Sequence, residues 1–170
     1  MAFSISEMKN LKLIQNKHIP SIYKSNSRDM RLKLLAGLVD SDGYVIKNCY
    51  EITQKSKKLA EDIRDLCRSL GFACFIAECR KSCMYKGEKR ECIYHRVSFY
   101  GEGTEDIPVL LERKRSQTRQ QIKNPLVTGF TVEFKGNGKY YGFTIDGNGR
   151  FLLGSYMVTH NTVQGTCLAS

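Results

Sequence analysis

The chain opens on a short helical pattern, with Ile5, Met8, Leu11 and Leu13 spaced along residues 4–24. Ile19-Pro20 stops it, because a proline disfavours helix at the residue before it. Ser25-Asn26-Ser27 reads as a helix cap, residues 30–39 as a strongly apolar helix, and Gly43 as its end. Residues 44–54 are β-branched and aromatic enough for two short strands that turn near Lys47-Asn48. Ser56 caps a further helix in which Leu59, Ile63, Leu66 and Leu70 fall on one face, and Gly71 supplies the stop. Residues 72–85 and 90–100 are extended runs separated by Lys86-Gly87-Glu88-Lys89, a hairpin signal. A shorter helix is expected around residues 106–111, with Pro108 in its first turn. The predicted order over this part is α-β-β-α-β-β-α.

A basic, Gln-rich linker occupies residues 114–126, and after it the texture changes. Short β segments are expected at 127–134, 140–145, 151–153 and 156–159, divided by Gly-Asn-Gly and Asp-Gly-Asn-Gly turns. So few short strands do not close a β domain unaided, so a piece of this part is expected to come from elsewhere. The fold class is α+β.

Composition sharpens the picture. Of 170 residues, 41% are hydrophobic and 26% charged, which excludes a disordered or fibrous chain. No apolar run is long enough for a membrane span and the start lacks the apolar block of an export signal, so the expectation is an intracellular protein, cytoplasmic or nuclear, without a membrane partner. Seven cysteines without such a signal point to reduced thiols. The net charge of +10 favours a polyanionic partner, of which nucleic acid is the commonest.

The densest chemical signal is Leu35-Ala36-Gly37-Leu38-Val39-Asp40-Ser41-Asp42-Gly43. A glycine inside an apolar helix costs about 1 kcal/mol relative to alanine. Ala36-Gly37 therefore asks for a compensating reason, and the close approach of a second helix is the obvious one. Asp42 would sit at the helix C-terminus, where the backbone already presents negative charge and a carboxylate is unfavourable unless a cation arrives. Two such helices side by side would bring two carboxylates together as a hard oxygen site suited to Mg²⁺.

This string resembles the LAGLIDADG motif of homing endonucleases, and Asn16-Lys17-His18-Ile19-Pro20 resembles the segment that precedes the second copy of that motif in inteins. The resemblance implies an αββαββα half-domain over residues 29–113, preceded by a lead-in at 1–28. It implies hairpin strands forming a saddle over double-stranded DNA, Mg²⁺ bound by Asp42, and Ala36 and Gly37 in the seam between helices. A single motif copy implies a partner: a missing N-terminal half or a second copy of the chain.

The tail Tyr156-Met157-Val158-Thr159-His160-Asn161-Thr162 resembles the C-terminal splice junction of inteins. Residues 139–145 and 150–153 resemble the strands that precede it, especially in fungal vacuolar-ATPase-type inteins. On this resemblance residues 127–161 are the C-terminal strands of an incomplete Hint splicing domain, and 162–170 belong to a flanking host protein. The residue types suit the chemistry. The Asn161 amide nitrogen attacks its own backbone carbonyl to give a succinimide and releases the amine of Thr162, while His160 donates to the leaving amine or the carbonyl oxygen. Thr162 is the nucleophile that accepts the acyl group from the upstream junction, and splicing needs no cofactor. The resemblance departs at Gly149, where many inteins carry a histidine. Residues 162–170 resemble the helix start behind the phosphate-binding Gly-Lys of SNF2-like helicases.

Arg80, Lys81, Lys86, Lys89, Arg90 and Arg96 lie on the long hairpin with tyrosines interleaved, which suits a β-ribbon on phosphates and base edges. Lys114 falls near the place where the resemblance puts a lysine that assists water activation, a plain phosphate contact being the alternative. Cys79, Cys83, Cys92 and His95 are spaced for a loose zinc site, or are small apolar residues on paired strands. The reading is an intein C-terminal portion that joins autocatalytic splicing to Mg²⁺-dependent cleavage of DNA. The rivals are a free-standing homodimeric endonuclease and a catalytically dead DNA-binding module.

Overall fold

A computed structural model describes residues 4–85, 88–118, 124, 127, 129–139 and 142–160. The chain divides into two compact units, Met1–Leu126 and Val127–Ser170.

In the first unit, helices α1 (Ile5–Asn10) and α2 (Ser21–Lys24) lead into α3 (Arg28–Asp42). The short hairpin β1 (Gly43–Ile46) and β2 (Cys49–Gln54) comes next, then α4 (Lys57–Ser69) and the long hairpin β3 (Ala73–Tyr85) and β4 (Glu88–Tyr100). The expected caps of α3 and α4 and the turn at Lys47-Asn48 hold here, while Lys86 and Gly87 of the second expected turn lie outside the described residues. Ser27 and Ser56 accept hydrogen bonds from the backbone N–H groups of Met30 and Leu59, which closes the first turns of α3 and α4. Lys47 and Asn48 both take positive φ, the geometry that lets a two-residue turn match the twist of its strands.

The four strands form one antiparallel sheet in the order β1-β2-β4-β3. Every second residue points to the helices, so Tyr50 and Ile52 on β2 meet Val97 and Phe99 on β4 under a layer of Leu35, Val39, Ile63 and Leu66. The Tyr50 and Phe99 rings stack with centroids 5.1 Å apart. The lead-in is part of this body. Asp62 on α4, fully buried, accepts the Ile19 backbone N–H at 2.9 Å and the ammonium groups of Lys24 at 2.5 Å and Lys58 at 2.6 Å.

The helix expected at 106–111 does not form. Ile107 is extended (φ −66°, ψ 115°) ahead of Pro108, as proline imposes on its predecessor, and only single 3₁₀ turns at Thr104–Asp106 and Glu112–Lys114 flank the break. The start of the basic linker is also anchored: the buried Tyr50 hydroxyl donates to the Lys114 carbonyl at 2.9 Å and accepts the Ser116 N–H at 3.0 Å.

The second unit contains one described hairpin, β5 (Arg150–Leu152) paired with β6 (Val158–His160). The strands expected at 127–134 and 140–145 are absent among their described residues. Extended propensity alone does not make a strand; a partner must supply the ladder.

Candidate functional site

The C-terminal end of α3 collects the polar groups of the first unit. Asp40 and Asp42, adjacent but for one serine, have different surroundings. Both Asp40 carboxylate oxygens are committed, accepting the backbone N–H groups of Leu110 at 2.8 Å and Leu111 at 3.2 Å. Asp42 is exposed, its Oδ2 accepts from Gln54 Nε2 at 2.9 Å, and its Oδ1 has no partner among the described residues. Asp40 is thus a clamp on the chain after Pro108, and Asp42 is the carboxylate left for a ligand.

Lys114, expected to serve water activation, is buried and donates from Nζ to the carbonyls of Val39 at 2.7 Å and Asp40 at 2.9 Å. Its ammonium adds a second bond to the Val39 carbonyl, which already accepts the Gly43 N–H, takes up the Asp40 carbonyl, and places positive charge on the negative end of the helix dipole. The structure therefore puts Lys114 and Asp42 at one helix end, with two of the three Lys114 donors already used. Gln54 is a site residue that motif reading misses. Its signal is the alternation Tyr50, Ile52, Gln54, which sets a polar residue at a core-facing position; it is 6% exposed.

Ala36 and Gly37 separate. The 3.6-residue repeat aligns Ala36 with Leu32, Leu35 and Val39, and it is buried in its own unit, so its expected place in a helix seam is corrected. Gly37, turned about 100° from Ala36, is exposed, and a Cβ built there meets nothing within 4 Å among the described residues.

The sheet face away from the helices carries Tyr44, Glu51, Phe75, Cys79, Lys81, Cys92, Tyr94 and Arg96. The Lys81 ammonium stands 5.7 Å from the centre of the Tyr94 ring. Glu51 accepts from the Tyr44 hydroxyl and lies 3.6 Å from Arg96 Nε. That hydrogen bond, with desolvation, raises the Tyr44 pKa above the usual phenol value. Of the basic residues expected to read DNA, Lys81 and Arg96 share this face. Arg80 pairs with Ile93 at the other parity, so it belongs to the helix-side face. Lys86 and the side chains of Lys89 and Arg90 lie outside the described residues.

The same parity separates the described members of the loose zinc set, the Cys83 side chain lying outside the described residues. Cys79 and Cys92 are on the open face while His95, buried, is on the helix side, so these residues do not converge. Among the described residues no three His, Cys, Asp or Glu side chains gather for a metal.

In the second unit His160 pairs with Arg150, and its imidazole lies over Gly149: a Cβ at Gly149 would fall 3.1 Å from Nε2. With φ +66°, Gly149 also holds a backbone conformation that side chains rarely adopt. Asn161 and Thr162 lie outside the described residues.

The model of the homing endonuclease family matches residues 18–105, just over half of the chain and the whole of the sheet with α3 and α4. The homothallic switching endonuclease of Saccharomyces cerevisiae is 27% identical over 165 residues, an alignment that covers 89% of this chain and 28% of that protein. The replicative DNA helicase DnaB of Mycobacterium intracellulare is 36% identical over 70 residues, or 41% of this chain and 12% of that one. The chain thus spans less than a third of either relative. With the LAGLIDADG-like helix, the four-stranded sheet and the exposed Asp42 at their junction, the match shows that this chain belongs to the homing endonuclease family.

Proposed function

We propose that the chain is the C-terminal portion of an intein-type homing endonuclease that binds double-stranded DNA on the open sheet face and cuts it with a divalent ion held at Asp42. The observation that carries the reading is the contrast between the two carboxylates of α3: Asp40 is consumed by backbone donors, while Asp42 is exposed and oriented by Gln54. A hard oxygen donor at a helix C-terminus fits Mg²⁺. When bound, the ion supplies a nucleophilic water and neutralises charge on the scissile phosphate. Asp42 would hold it, Gln54 would fix the carboxylate, and Lys114 would stiffen the helix end that presents them. Lys81 and Arg96 would contact phosphates.

One carboxylate serves one strand, so double-strand cutting requires a second motif copy, which would pack on the open Gly37 stripe of α3. We read that copy as an upstream half; a second copy of this chain is the rival. In the same reading His160 assists cyclisation of Asn161 and Thr162 accepts the acyl group. The contact of His160 with Gly149 supports it by giving the imidazole a defined seat. Residues 162–170 would then belong to a host protein resembling SNF2-like helicases, inside the cell, cytoplasmic or nuclear.

The test is DNA binding and cleavage by the purified chain. Binding should weaken steeply with salt, as phosphate contacts release counterions, and cutting by the chain alone should be slow. Rapid Mg²⁺-dependent double-strand cleavage without an upstream half would favour the homodimer, and binding with no cutting even when the half is added would favour the inactive module. Intact-mass analysis tests the junction: loss of the segment after Asn161 with dehydration is expected for the parent and not for Asn161→Ala.

A further inference from the structure

Strand alternation places a third polar residue beside Asp42 and Gln54. The cross-strand partner of Gln54 is His95 on β4. Directly opposed residues of an antiparallel pair point to one face of the sheet, with Cβ atoms about 4.5–5.5 Å apart. His95 is 8% exposed, and among the described residues its ring makes no hydrogen bond or ion pair. Its neighbour on the other side, Glu78 on β3, is exposed and forms no ion pair with it. The ring nitrogens are not among the fully buried unpartnered atoms, of which Arg31 Nε is the one among the described residues, so water can reach them. A row of Asp42, Gln54 and His95, the last with free hydrogen-bonding capacity, reads as a site that its ligand completes.

We propose that His95 is the outer partner of the divalent-ion site, hydrogen-bonding water carried by the ion that Asp42 holds; this rests on the reading of Asp42 as the ion's ligand. Ions of the Mg²⁺ class keep several waters when a protein supplies one or two carboxylates, and those waters need partners. Imidazole offers one donor and one acceptor when neutral. Outer groups of this kind set the geometry of the inner ones, and losing one lowers metal affinity by about 10–100-fold. His95 acts through bound water, so it is a positioning residue, placed across Gln54 from the carboxylate it serves.

Mn²⁺ is the probe, because it shares the oxygen preference of Mg²⁺ and broadens nuclear resonances near it. Substoichiometric Mn²⁺ added to the full chain should broaden the ring signals of His95 together with the side-chain amide signals of Gln54, and Asp42→Asn should abolish both effects. In titrations of Mn²⁺ binding, His95→Leu should weaken affinity by about 10-fold, and His95→Gln, which restores a donor and an acceptor, should recover most of the loss. Broadening of Gln54 without His95, or parental affinity in a folded His95→Leu, overturns the role of His95 and leaves the ion site standing. Parental Mn²⁺ binding by Asp42→Asn overturns the ion site and this proposal with it. Should His95→Leu fail to fold, the resonances of the parent chain decide.

Discussion

Gly37 gives the sharpest energetic prediction. It lies in the interior of α3, where glycine costs about 1 kcal/mol relative to alanine, and a Cβ there would meet nothing within 4 Å among the described residues. Gly37→Ala therefore carries no steric penalty in the isolated chain and recovers the helix-propensity loss, partly by narrowing the unfolded ensemble. The expected gain of about 1 kcal/mol corresponds to roughly 3–6 °C in Tm for a unit of this size. Urea and thermal unfolding tracked by far-ultraviolet circular dichroism would read it, with the urea slope unchanged. The same methyl should weaken association with the second motif copy, because a helix seam that needs glycine has no room for it. A less stable Gly37→Ala chain would refute the reasoning, since it would mean the stripe is already covered within the chain.

The geometry makes three further outcomes testable. Lys114→Met keeps the stem but removes two charge-assisted bonds to the end of α3; a loss of about 1.5–3 kcal/mol is expected, whereas a lysine free for chemistry alone would leave the melting temperature unchanged. Burial pushes the Asp62 carboxyl up, but hydrogen bonds from Lys24, Lys58 and the Ile19 N–H outweigh it and hold it below the ordinary value. Its stabilisation is thus complete above the unfolded-state value near about 4 and fades as pH falls through the lower folded value. Asp62→Asn should lower stability at pH 7 by about 1–3 kcal/mol and flatten the acid limb of the melting profile, and an acid limb identical to the parent's would contradict the assignment. Lys81→Ala should weaken DNA binding and reduce the slope of log K against log salt by about 1, while Arg80→Ala, on the other face, should change that slope less.

The first unit is largely legible in the sequence because its signals are local. Ser56, the Leu59, Ile63, Leu66 stripe and Gly71 each specify a cap, a face and a stop within one helix, and α4 runs Lys57–Ser69 as they require. The Lys47-Asn48 turn fixes the β1–β2 register in the same way. Residues 106–111 mislead because their apolar spacing is helical while Pro108 forces its predecessor extended, and the segment is held by Asp40 instead. In the second unit, 127–134 and 140–145 have strand composition, but pairing is a property of two segments and the sequence of one cannot provide it. At the site, Asp42 is visible through its motif. Gln54 shows only as a polar residue in the alternation of β2, and its pairing with His95 is not legible, because it is a register across two strands that are remote in sequence. Ala36 and Gly37 look like one seam because they are adjacent and small, but a helix turns about 100° between neighbours and sends them to different faces.

The most direct test of the central claim is cleavage of a plasmid bearing the target, using this chain paired with the upstream half proposed for it, with Mg²⁺ or a chelator, for the parent and Asp42→Asn. The account predicts linear product from the parent only with Mg²⁺, and retained DNA binding without linear product from Asp42→Asn. Linearisation by Asp42→Asn at the parent's rate would contradict it.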